Sequence, residues 1–347
     1  MNVKKVKFII IGGGLSGLTT ANILLEKGEE DFIILEARNR AGGRIFTKEG
    51  IDLGATWFQE QHIYTNDLLK KYNLDSFKQY SRGKSVLIYN SMAPAHLFES
   101  DPNAPGAKRI CGSSEALIKA LSKPVTANLE LDSPVTSIKM LDHYLEVKVS
   151  DQNYHAEKVI ICVPPKIAKN IEYTPPLPDN LIEVMQTTHT WMSNAIKVGI
   201  SYPEAFWKKK GLSGTIIGQI GPVIELYDHC NALENKYSLM GFVNEGLREE
   251  TKASRKERIL TYLEKHLGPE AGNYKSYIEK DWSKEKYTSG KSLKSEYMSP
   301  QYGNPIFEKT FLDGRLYFSG TETSSVYGGY LEGAIYSGLN AAKRILS

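Results

Sequence analysis

The chain begins with an apolar run, a glycine-rich turn, a helical pattern and a second apolar run. Residues 8–11 are apolar, Gly12, Gly14 and Gly17 follow in GxGxxG spacing, and the second run ends at Glu36. This order predicts a strand, a tight turn, a helix and a second strand that ends in an acid. The first glycine permits the turn, the second lets the backbone approach a pyrophosphate, and the third lets the helix pack on the sheet. The pattern predicts a dinucleotide site, and the alternative is a glycine-rich turn in some other α/β protein.

The rest of the chain mixes helical and strand patterns. The patterns predict helices at 66–73, 113–121, 253–267 and 330–346, and strands at 129–149, 158–163, 194–202, 215–227 and 315–320. The 158–163 run is continuously apolar, which is typical of a buried parallel strand. Prolines predict an irregular segment over 84–110 and an extended crossing over 166–186.

Composition narrows the classes of protein that fit. A length of 347 residues suggests about two domains. The net charge of +3 is small and the basic residues are interspersed with acids, which argues against a nucleic-acid or anionic-membrane partner. Cys111, Cys162 and Cys230 are scattered, which argues for a reducing compartment and against a metal or disulfide role. Since no run approaches the ~20 apolar residues of a membrane span, we expect a cytoplasmic protein without a membrane anchor.

A second constellation lies near the end of the chain. A predicted strand runs into SGTET, a glycine-rich turn follows, and a helix begins near Leu331. This is another helix N-terminus preceded by glycines, hence another anion or carbonyl site. A nicotinamide cofactor has no need of it, whereas a flavin dinucleotide spans a longer path. Arg44, in the GGR segment, adds a guanidinium suited to a pyrophosphate.

At this point the residues carry a resemblance that runs from end to end. The matching segments are IIGGGLSGL, ILEAR, AGGRIFT, DLGATWF, ICVPP followed by IEYTPPLP, NAIKVGISYPEAFWKKKGLSG, YFSGTET and GGYLEGA. Together they resemble the flavin-containing amine oxidases of the monoamine oxidase and polyamine oxidase superfamily.

The resemblance implies an α/β fold with a Rossmann-like FAD-binding domain of the glutathione-reductase type and an α+β substrate domain with a mixed sheet. The FAD-binding domain is expected at 1–80, 111–165 and 286–347, and the substrate domain at 81–110 and 166–285. The implied activity is oxidation of a primary or secondary amine by hydride transfer to flavin N5, followed by imine hydrolysis and reoxidation by dioxygen to hydrogen peroxide. The partners are a small amine and dioxygen, and a homodimer is compatible with the sequence.

The resemblance also implies individual roles. Residues expected to hold FAD are Gly12, Gly14, Leu15, Ser16, Gly17, Glu36, Ala37, Arg38, Gly43, Arg44, Gly54, Ala55, Thr56, Trp57, Leu129, Trp282, Gly320, Thr321, Glu322, Tyr330 and Leu331. Lys197 matches a lysine that holds a water against flavin N5. Trp57 is expected beside the flavin, and Tyr330 is expected to form one wall of an aromatic cage around the amine. Without the resemblance, Lys197 would be interpreted as a solvated strand lysine.

Three departures from the family pattern change the expectations. No cysteine lies near the segment that tethers FAD in the monoamine oxidases, so we expect non-covalent FAD. Ser292 stands where the second cage aromatic belongs, and Tyr287 or Tyr297 is a candidate to replace it. The segment between Tyr89 and Cys111 is short, which predicts a trimmed substrate domain and a more open site.

Several alternatives stay open at the level of sequence. Glu225 falls near a channel-lining position and is suited to a second amine of a diamine, although a surface carboxylate is the first expectation. No paired carboxylates, Ser/His/Asp set or metal-ligand cluster stands out. The competing functions are a flavoenzyme of the same fold acting on another substrate, such as a desaturase or amino-acid oxidase, and a non-catalytic flavoprotein.

Overall fold

The structure is a computed structural model that describes residues 3–101, 105–289 and 301–347. The strands of the first half are β1 (Lys4–Ile11), β2 (Phe32–Leu35), β3 (Thr47–Lys48), β4 (Ile51–Asp52), β5 (Ser76–Lys78), β6 (Lys84–Ile88), β7 (His96–Glu99), β8 (Lys108–Ile110), β9 (Leu129–Glu130), β10 (Val135–Met140), β11 (Leu145–Val149) and β12 (Gln152–Ile161). The later strands are β13 (Glu172–Thr174), β14 (Ile196–Tyr202), β15 (Leu212–Gly218), β16 (Val223–Asp228), β17 (Tyr237–Val243), β18 (Ser276–Asp281) and β19 (Leu316–Phe318). The helices are α1 (Leu15–Glu26), α2 (Ile63–Lys71), α3 (Ser114–Ser122), α4 (Pro165–Ala168), α5 (Asp179–Thr187), α6 (Phe206–Lys209), α7 (Lys252–Leu267), α8 (Lys286–Ser289) and α9 (Leu331–Leu346).

The first sheet is mixed and contains the predicted nucleotide unit. Within the described ranges its order is β13-β10-β11-β12-β1-β2-β9, and β19 pairs with β12 beside β11. Strands β1, β2, β12 and β19 are parallel, with Ile10 opposite both Ile34 and Ile160. Their carboxyl ends therefore meet at one edge of the sheet, which is where ligands bind in open α/β sheets.

Helices α1 and α9 cover one face of this sheet at close range. The Cβ of any larger residue at Gly338 in α9 would lie 2.5 Å from the carbonyl oxygen of Ser16 in α1. The hydroxyl of Thr20 donates to the carbonyl of Gly338 at 3.2 Å. The small residues of the last helix thus bring the first and last segments of the chain together, and the N-termini of both helices reach the same sheet edge.

The second sheet is largely antiparallel. In the described part of the chain its order is β18-β14-β17-β16-β15-β6-β7, with a parallel pair only between β15 and β6. Helix α7 packs on it through Ile259 and Leu263. Ile51, at the start of β4, belongs to a small cluster with Met240 and Ile278 of this sheet. Strand β4 and Leu53 after it are therefore packed against the second sheet.

Most predicted elements are confirmed, and two predictions are wrong. The range 84–110 was expected to be irregular, but the structure has β6, β7 and β8 there. The range 166–186 was expected to be extended, but it contains α5, which buries Leu181 and Met185 four residues apart. The prolines lie between these strands or before α5, so they do not interrupt the elements.

The described helices include none that is both long and apolar enough to cross a bilayer.

Strand β13 joins the first sheet beside β10 although the sequence assigns 166–285 to the second domain. The domain boundaries themselves stay a prediction.

Candidate active site

A cavity of about 1040 Å³ opens at the carboxyl ends of the parallel strands and reaches the second sheet. Its wall takes residues from segments that lie far apart in the chain. The sequence-predicted site residues that line it are Gly12, Gly14, Leu15, Ser16, Glu36, Ala37, Arg38, Gly43, Arg44, Gly54, Ala55, Thr56, Trp57, Lys197, Gly320, Thr321, Tyr330 and Leu331. The structure thus brings the residues predicted for the nucleotide and those predicted for the amine to one space.

The turn between β1 and α1 forms one end of the cavity. Gly14 is the N-cap of α1, and the helix has neither an acid in its first turn nor a side chain capping its first N–H groups. Those groups lack intrahelical acceptors. A Cβ added to Gly14 would have Gly43 Cα, 4.0 Å away, as its one neighbour within that distance, so a side chain here would project into the cavity. This end suits a phosphate group, because a helix N-terminus offers both donors and a positive dipole end.

Glu36 is held rigidly at the same end. Its Oε2 accepts a hydrogen bond from the Gly13 N–H at 2.8 Å, and its Oε1 accepts one from the Arg38 N–H at 2.9 Å. Both donors are backbone groups, so the carboxylate is fixed in position where it lines the cavity. Each carboxylate oxygen has a further lone pair for a hydroxyl donor.

Arg38 lines the same end of the cavity and is held by contacts with α8 and the residue before it. Its guanidinium donates to the hydroxyl of Thr288 at 2.8 Å and pairs with Glu285 at 3.2 Å. It also lies 5.6 Å from the centre of the Tyr287 ring. Tyr287, one candidate for the second cage aromatic, therefore lies against Arg38, beside Glu36.

Arg44 and Glu322 join the first and last segments of the site. The guanidinium makes two bonds to the carboxylate, Nη1 to Oε1 at 2.5 Å and Nη2 to Oε2 at 2.9 Å. Burial opposes the charge, but the Glu322 carboxylate outweighs it and raises the pKa of Arg44. The pair ties the GGR loop to the turn after β19. The expected contact of Arg44 with a pyrophosphate stays a prediction.

Lys197 reaches the cavity from β14 in the second sheet. Its Nζ donates to the Gly54 carbonyl at 2.8 Å and to the Thr56 hydroxyl at 3.0 Å. The side chain is 1% exposed and its Nζ lies 5.4 Å from the Trp57 ring and 5.0 Å from the Phe242 ring. Burial lowers the pKa of Lys197 to about 7. The amine can therefore gain or lose a proton near neutral pH.

The walls around Lys197 are mainly aromatic. The Trp57 indole donates to Gln79 at 2.8 Å and meets the Tyr227 ring edge-on at 5.0 Å. Glu225 also lines the cavity and accepts a hydrogen bond from the Tyr227 hydroxyl at 3.0 Å. The first expectation for Glu225, a surface carboxylate, is wrong, because its place on β16 faces this cavity.

Tyr330 lies at the mouth of the cavity. It is the N-cap of α9, is 54% exposed, and packs against the His62 ring at 5.7 Å. Trp191 lines the cavity as well and is also largely exposed. The mouth is thus an aromatic rim open to solvent.

Four predicted residues lie elsewhere in the described chain, and two fall outside it. Gly17, Leu129, Trp282 and Glu322 do not line the cavity. Any side chain on Gly17 would overlap the Gly12 carbonyl oxygen, and Leu129 pairs with Ile34 in the first sheet. The Trp282 indole is fully buried and donates to the Leu53 carbonyl at 2.7 Å. Ser292 and Tyr297 fall outside the described residues.

Sequence reasoning missed several residues that the structure brings to this site. Phe242 and Tyr302 line the cavity, and neither carries a local signal beyond its aromatic ring. Asp52, Arg109 and His229 meet in a buried cluster near Lys197. Since these three come from separate segments, only the fold reveals their meeting.

Known proteins similar to this chain share one description. The family model "Flavin containing amine oxidoreductase" matches residues 15–107 and 91–346. A probable flavin-containing monoamine oxidase A of Dictyostelium discoideum is 25% identical over 448 residues, covering 97% of this chain and 96% of that protein. A flavin-containing amine oxidase B of Homo sapiens is 24% identical, covering 99% of this chain and 86% of that protein.

Solved structures agree with this fold. Putrescine oxidase bound to putrescine has a TM-score of 0.86 at 22% identity, covering 99% of this chain and all of that one. Cyclohexylamine oxidase from Brevibacterium oxydans has a TM-score of 0.86 at 20% identity, covering 98% of each chain. The mixed α/β architecture is therefore that of flavin-dependent amine oxidases.

Proposed function

This chain belongs to the flavin containing amine oxidoreductase family, and we propose that it binds FAD non-covalently and oxidises a primary or secondary amine with dioxygen as electron acceptor. One observation carries the proposal. One end of a single cavity has the N-terminus of α1, which suits a phosphate, and the Glu36 carboxylate, which is fixed by hydrogen bonds. The other end has the buried Lys197 among aromatic rings. A dinucleotide with a long flavin arm fits that separation of functions.

The residues present fit FAD at both ends of the cavity. The free N–H groups of α1 suit the pyrophosphate, and Glu36 suits the ribose hydroxyls of the adenosine half. The turn before α9, with Thr321 and Leu331, suits the flavin half. When bound, FAD supplies the redox chemistry, taking a hydride equivalent from the carbon beside the amine nitrogen and passing electrons to dioxygen.

The cysteines support non-covalent binding. Cys162 lines the cavity, but it lies at the end of β12 beside the first turn, and burial raises its pKa to about 12. A thiol with so high a pKa is a poor nucleophile at neutral pH. Cys111 and Cys230 do not line the cavity. A denatured sample should release all of its flavin into the supernatant.

The chain's own residues then have distinct tasks. Lys197 holds or releases a proton at Nζ, where it can orient a water for flavin reoxidation or imine hydrolysis. Trp57 and Phe242 exclude bulk water from one side of the reacting centre. Tyr330 offers an aromatic face to the incoming amine, a contact of roughly 0.5–2 kcal/mol if the amine arrives charged.

A diamine is the second candidate substrate, and Glu225 is the observation that favours it. Its carboxylate is inside an otherwise aromatic wall, where a second ammonium group could pair with it. Putrescine, a diamine, occupies one solved structure of this fold. Glu225→Gln should lower kcat/KM for diamines more than for monoamines of equal length.

The shortened segment supports an open site. The alignment with the Dictyostelium relative has 448 positions, but it includes only about 337 residues of this chain, which is 97% of 347. Roughly 110 aligned positions are therefore gaps in this chain. The two matches to the family model meet at residues 91–107, within the segment that the sequence identifies as short. We therefore expect tolerance of bulky amines.

Peroxide release across a panel of monoamines, diamines, polyamines and amino acids tests the proposal. Amine-dependent peroxide supports amine oxidation. Reduction of the flavin by a different class of donor would favour a same-fold enzyme acting on another substrate. No reduction by any donor would favour a non-catalytic flavoprotein.

A further inference from the structure

Behind the lysine end of the cavity lies a buried chain of three polar side chains that the reaction does not use directly. Arg109 Nη2 is 3.1 Å from His229 Nδ1, and His229 Nε2 is 3.6 Å from Asp52 Oδ2. Asp52 also accepts hydrogen bonds from the Thr47 hydroxyl at 2.6 Å and the Ser114 N–H at 3.2 Å. The three members come from β8, the end of β16 and β4.

The charge of each member follows from its partners. Arginine only donates, so we assign His229 Nδ1 as the acceptor and place the ring hydrogen on Nε2, which lies 3.6 Å from Asp52 Oδ2 and 3.4 Å from the Asp52 backbone nitrogen. Burial, aided by Arg109, lowers the pKa of His229 to about 4, so the ring is neutral near pH 7. Burial opposes ionisation of Asp52, but His229 and Thr47 hold its pKa below the usual value. Arg109 is thus a cation, His229 a neutral link and Asp52 an anion.

This arrangement is costly as a purely structural feature. Arg109 is 4% exposed, and its Nε and Nη1 have no hydrogen-bond partner among the described residues. The guanidinium lies over the Phe77 ring at 4.9 Å. An unsatisfied buried donor is destabilising, so well-packed apolar residues would stabilise this place better.

The Arg109–His229–Asp52 chain is connected to Lys197 through the polypeptide backbone. Asp52 is two residues before Gly54, whose carbonyl accepts from Lys197 Nζ, and four before Thr56, whose hydroxyl also accepts. The indole of Trp282 holds the intervening Leu53 carbonyl at 2.7 Å. Whatever fixes Asp52 therefore fixes both acceptors of the lysine.

We propose that Arg109, His229 and Asp52 form a positioning unit for Lys197, which holds the strand end that carries its two acceptors and applies opposing charges to its amine. This inference rests on the proposed function, since it gives Lys197 its task in the cavity. The Asp52 carboxylate favours the ammonium form, and the Arg109 guanidinium disfavours it.

The other charged or titratable groups near Lys197 are few. Glu225 on β16 favours the ammonium form from across the cavity. Tyr227 bonds to that carboxylate at 3.0 Å. Lys280, opposite Lys197 on β18, is paired with Glu285. None of these belongs to the Arg109–His229–Asp52 chain, so its contribution can be separated.

The test is a pH titration of the flavin absorbance of the holoenzyme, without turnover. The step of interest is the one that Lys197→Met abolishes, expected near pH 7. Asp52→Asn should move its midpoint to lower pH and Arg109→Met to higher pH, each by about one unit. His229→Gln keeps a neutral polar link and should leave the midpoint in place.

Two controls separate charge from folding. Arg109→Lys retains the charge and should keep the wild-type midpoint. Arg255→Met removes an equally buried arginine, also 4% exposed, that pairs with Glu279 in the second sheet, and should leave the midpoint unchanged. If Asp52→Asn does not fold, the pair Arg109→Met and Arg109→Lys carries the test alone.

Opposed shifts from Asp52→Asn and Arg109→Met establish the positioning unit. Shifts in the same direction, no shift in a flavin-loaded variant, or a wild type without the lysine-dependent step would overturn it. Failure of the proposed function is seen separately, as holoenzyme whose flavin no amine reduces, whatever the midpoints do.

Discussion

The two ends of the cavity are built in different ways. The end at Gly12–Glu36 comes from one continuous βαβ segment, and its polar contacts are mostly backbone groups and one pinned carboxylate. The end at Lys197 is assembled from β14, β16, β17 and the segment after β4, and apart from the Gly54 carbonyl its contacts are side chains. A cofactor-binding end needs a fixed backbone, whereas a reacting end needs side chains whose charge can change.

The difference predicts how each end fails. A substitution at the first end should remove the cofactor or the fold, because the backbone itself does the binding. At the second end, substitutions should leave FAD bound and change rates or pH dependence.

The largest effect is expected from Gly17→Ala, which breaks the backbone-built end. The added methyl would overlap the carbonyl oxygen of Gly12, so α1 must move off β1 and its N–H groups leave the cavity wall. We expect purified protein without flavin and with reduced thermal stability, measured by the flavin-to-protein absorbance ratio and by thermal melting. Gly106→Ala, where an added Cβ meets nothing within 4 Å, should retain both. A flavin-loaded Gly17→Ala protein would contradict the assignment.

Lys197→Met should come next, and it should spare the cofactor. The substitution keeps the apolar stem but removes the proton-carrying group, and we expect reoxidation of the reduced enzyme by dioxygen to slow by about 100-fold. Stopped-flow mixing of reduced enzyme with dioxygen measures it. Lys148→Met, an exposed strand lysine on β11, is the matched control. Unchanged reoxidation in Lys197→Met would remove this residue from the mechanism.

The two ends of the cavity also differ in how far they can be predicted from the sequence. The βαβ end could be predicted because its strand, glycines, helix and acid lie within residues 8–36, a run of 29, each with a local signal. Lys197 by itself has the pattern of a solvated strand lysine, and only the flanking resemblance indicates a role. The meeting of Asp52, Arg109 and His229 depends on how β4, β8 and β16 are arranged, which no local pattern encodes.

The wrong secondary-structure predictions have a related cause. Prolines just before α5 and between short strands were interpreted as breaking whole ranges. In the structure Pro178 is the N-cap of α5, a position that tolerates proline. Tertiary burial of Leu181 and Met185 then stabilises the helix.

The pH dependence of stability tests whether burial lowers the pKa of Lys197. The pKa of Lys197 falls from 10.5 to about 7 on folding, so between these pH values the unfolded chain holds a proton that the folded chain has released. Stability of the wild type relative to Lys197→Met should therefore rise with pH across this window, by a few kcal/mol at most. Chemical denaturation of both proteins at several pH values measures it. Parallel stability curves would mean that Lys197 titrates normally.

The smallest effect is expected at the mouth. Tyr330→Leu removes one aromatic face from a largely exposed position, and the efficiency kcat/KM for an amine should fall about 3-fold to 30-fold. Tyr330→Phe keeps the ring and should stay close to wild type. Steady-state kinetics with one amine under identical conditions gives both values. Equal losses in the two variants would point to the hydroxyl rather than the ring face.

We propose that one cavity couples FAD at the βαβ end to amine oxidation at the Lys197 end. The most direct test of this claim is anaerobic mixing of the flavin-loaded protein with each amine of the panel, followed by admission of dioxygen. We expect at least one amine to bleach the flavin absorbance and dioxygen to restore it with release of peroxide. If dithionite bleaches the flavin but no amine does, the claim is contradicted.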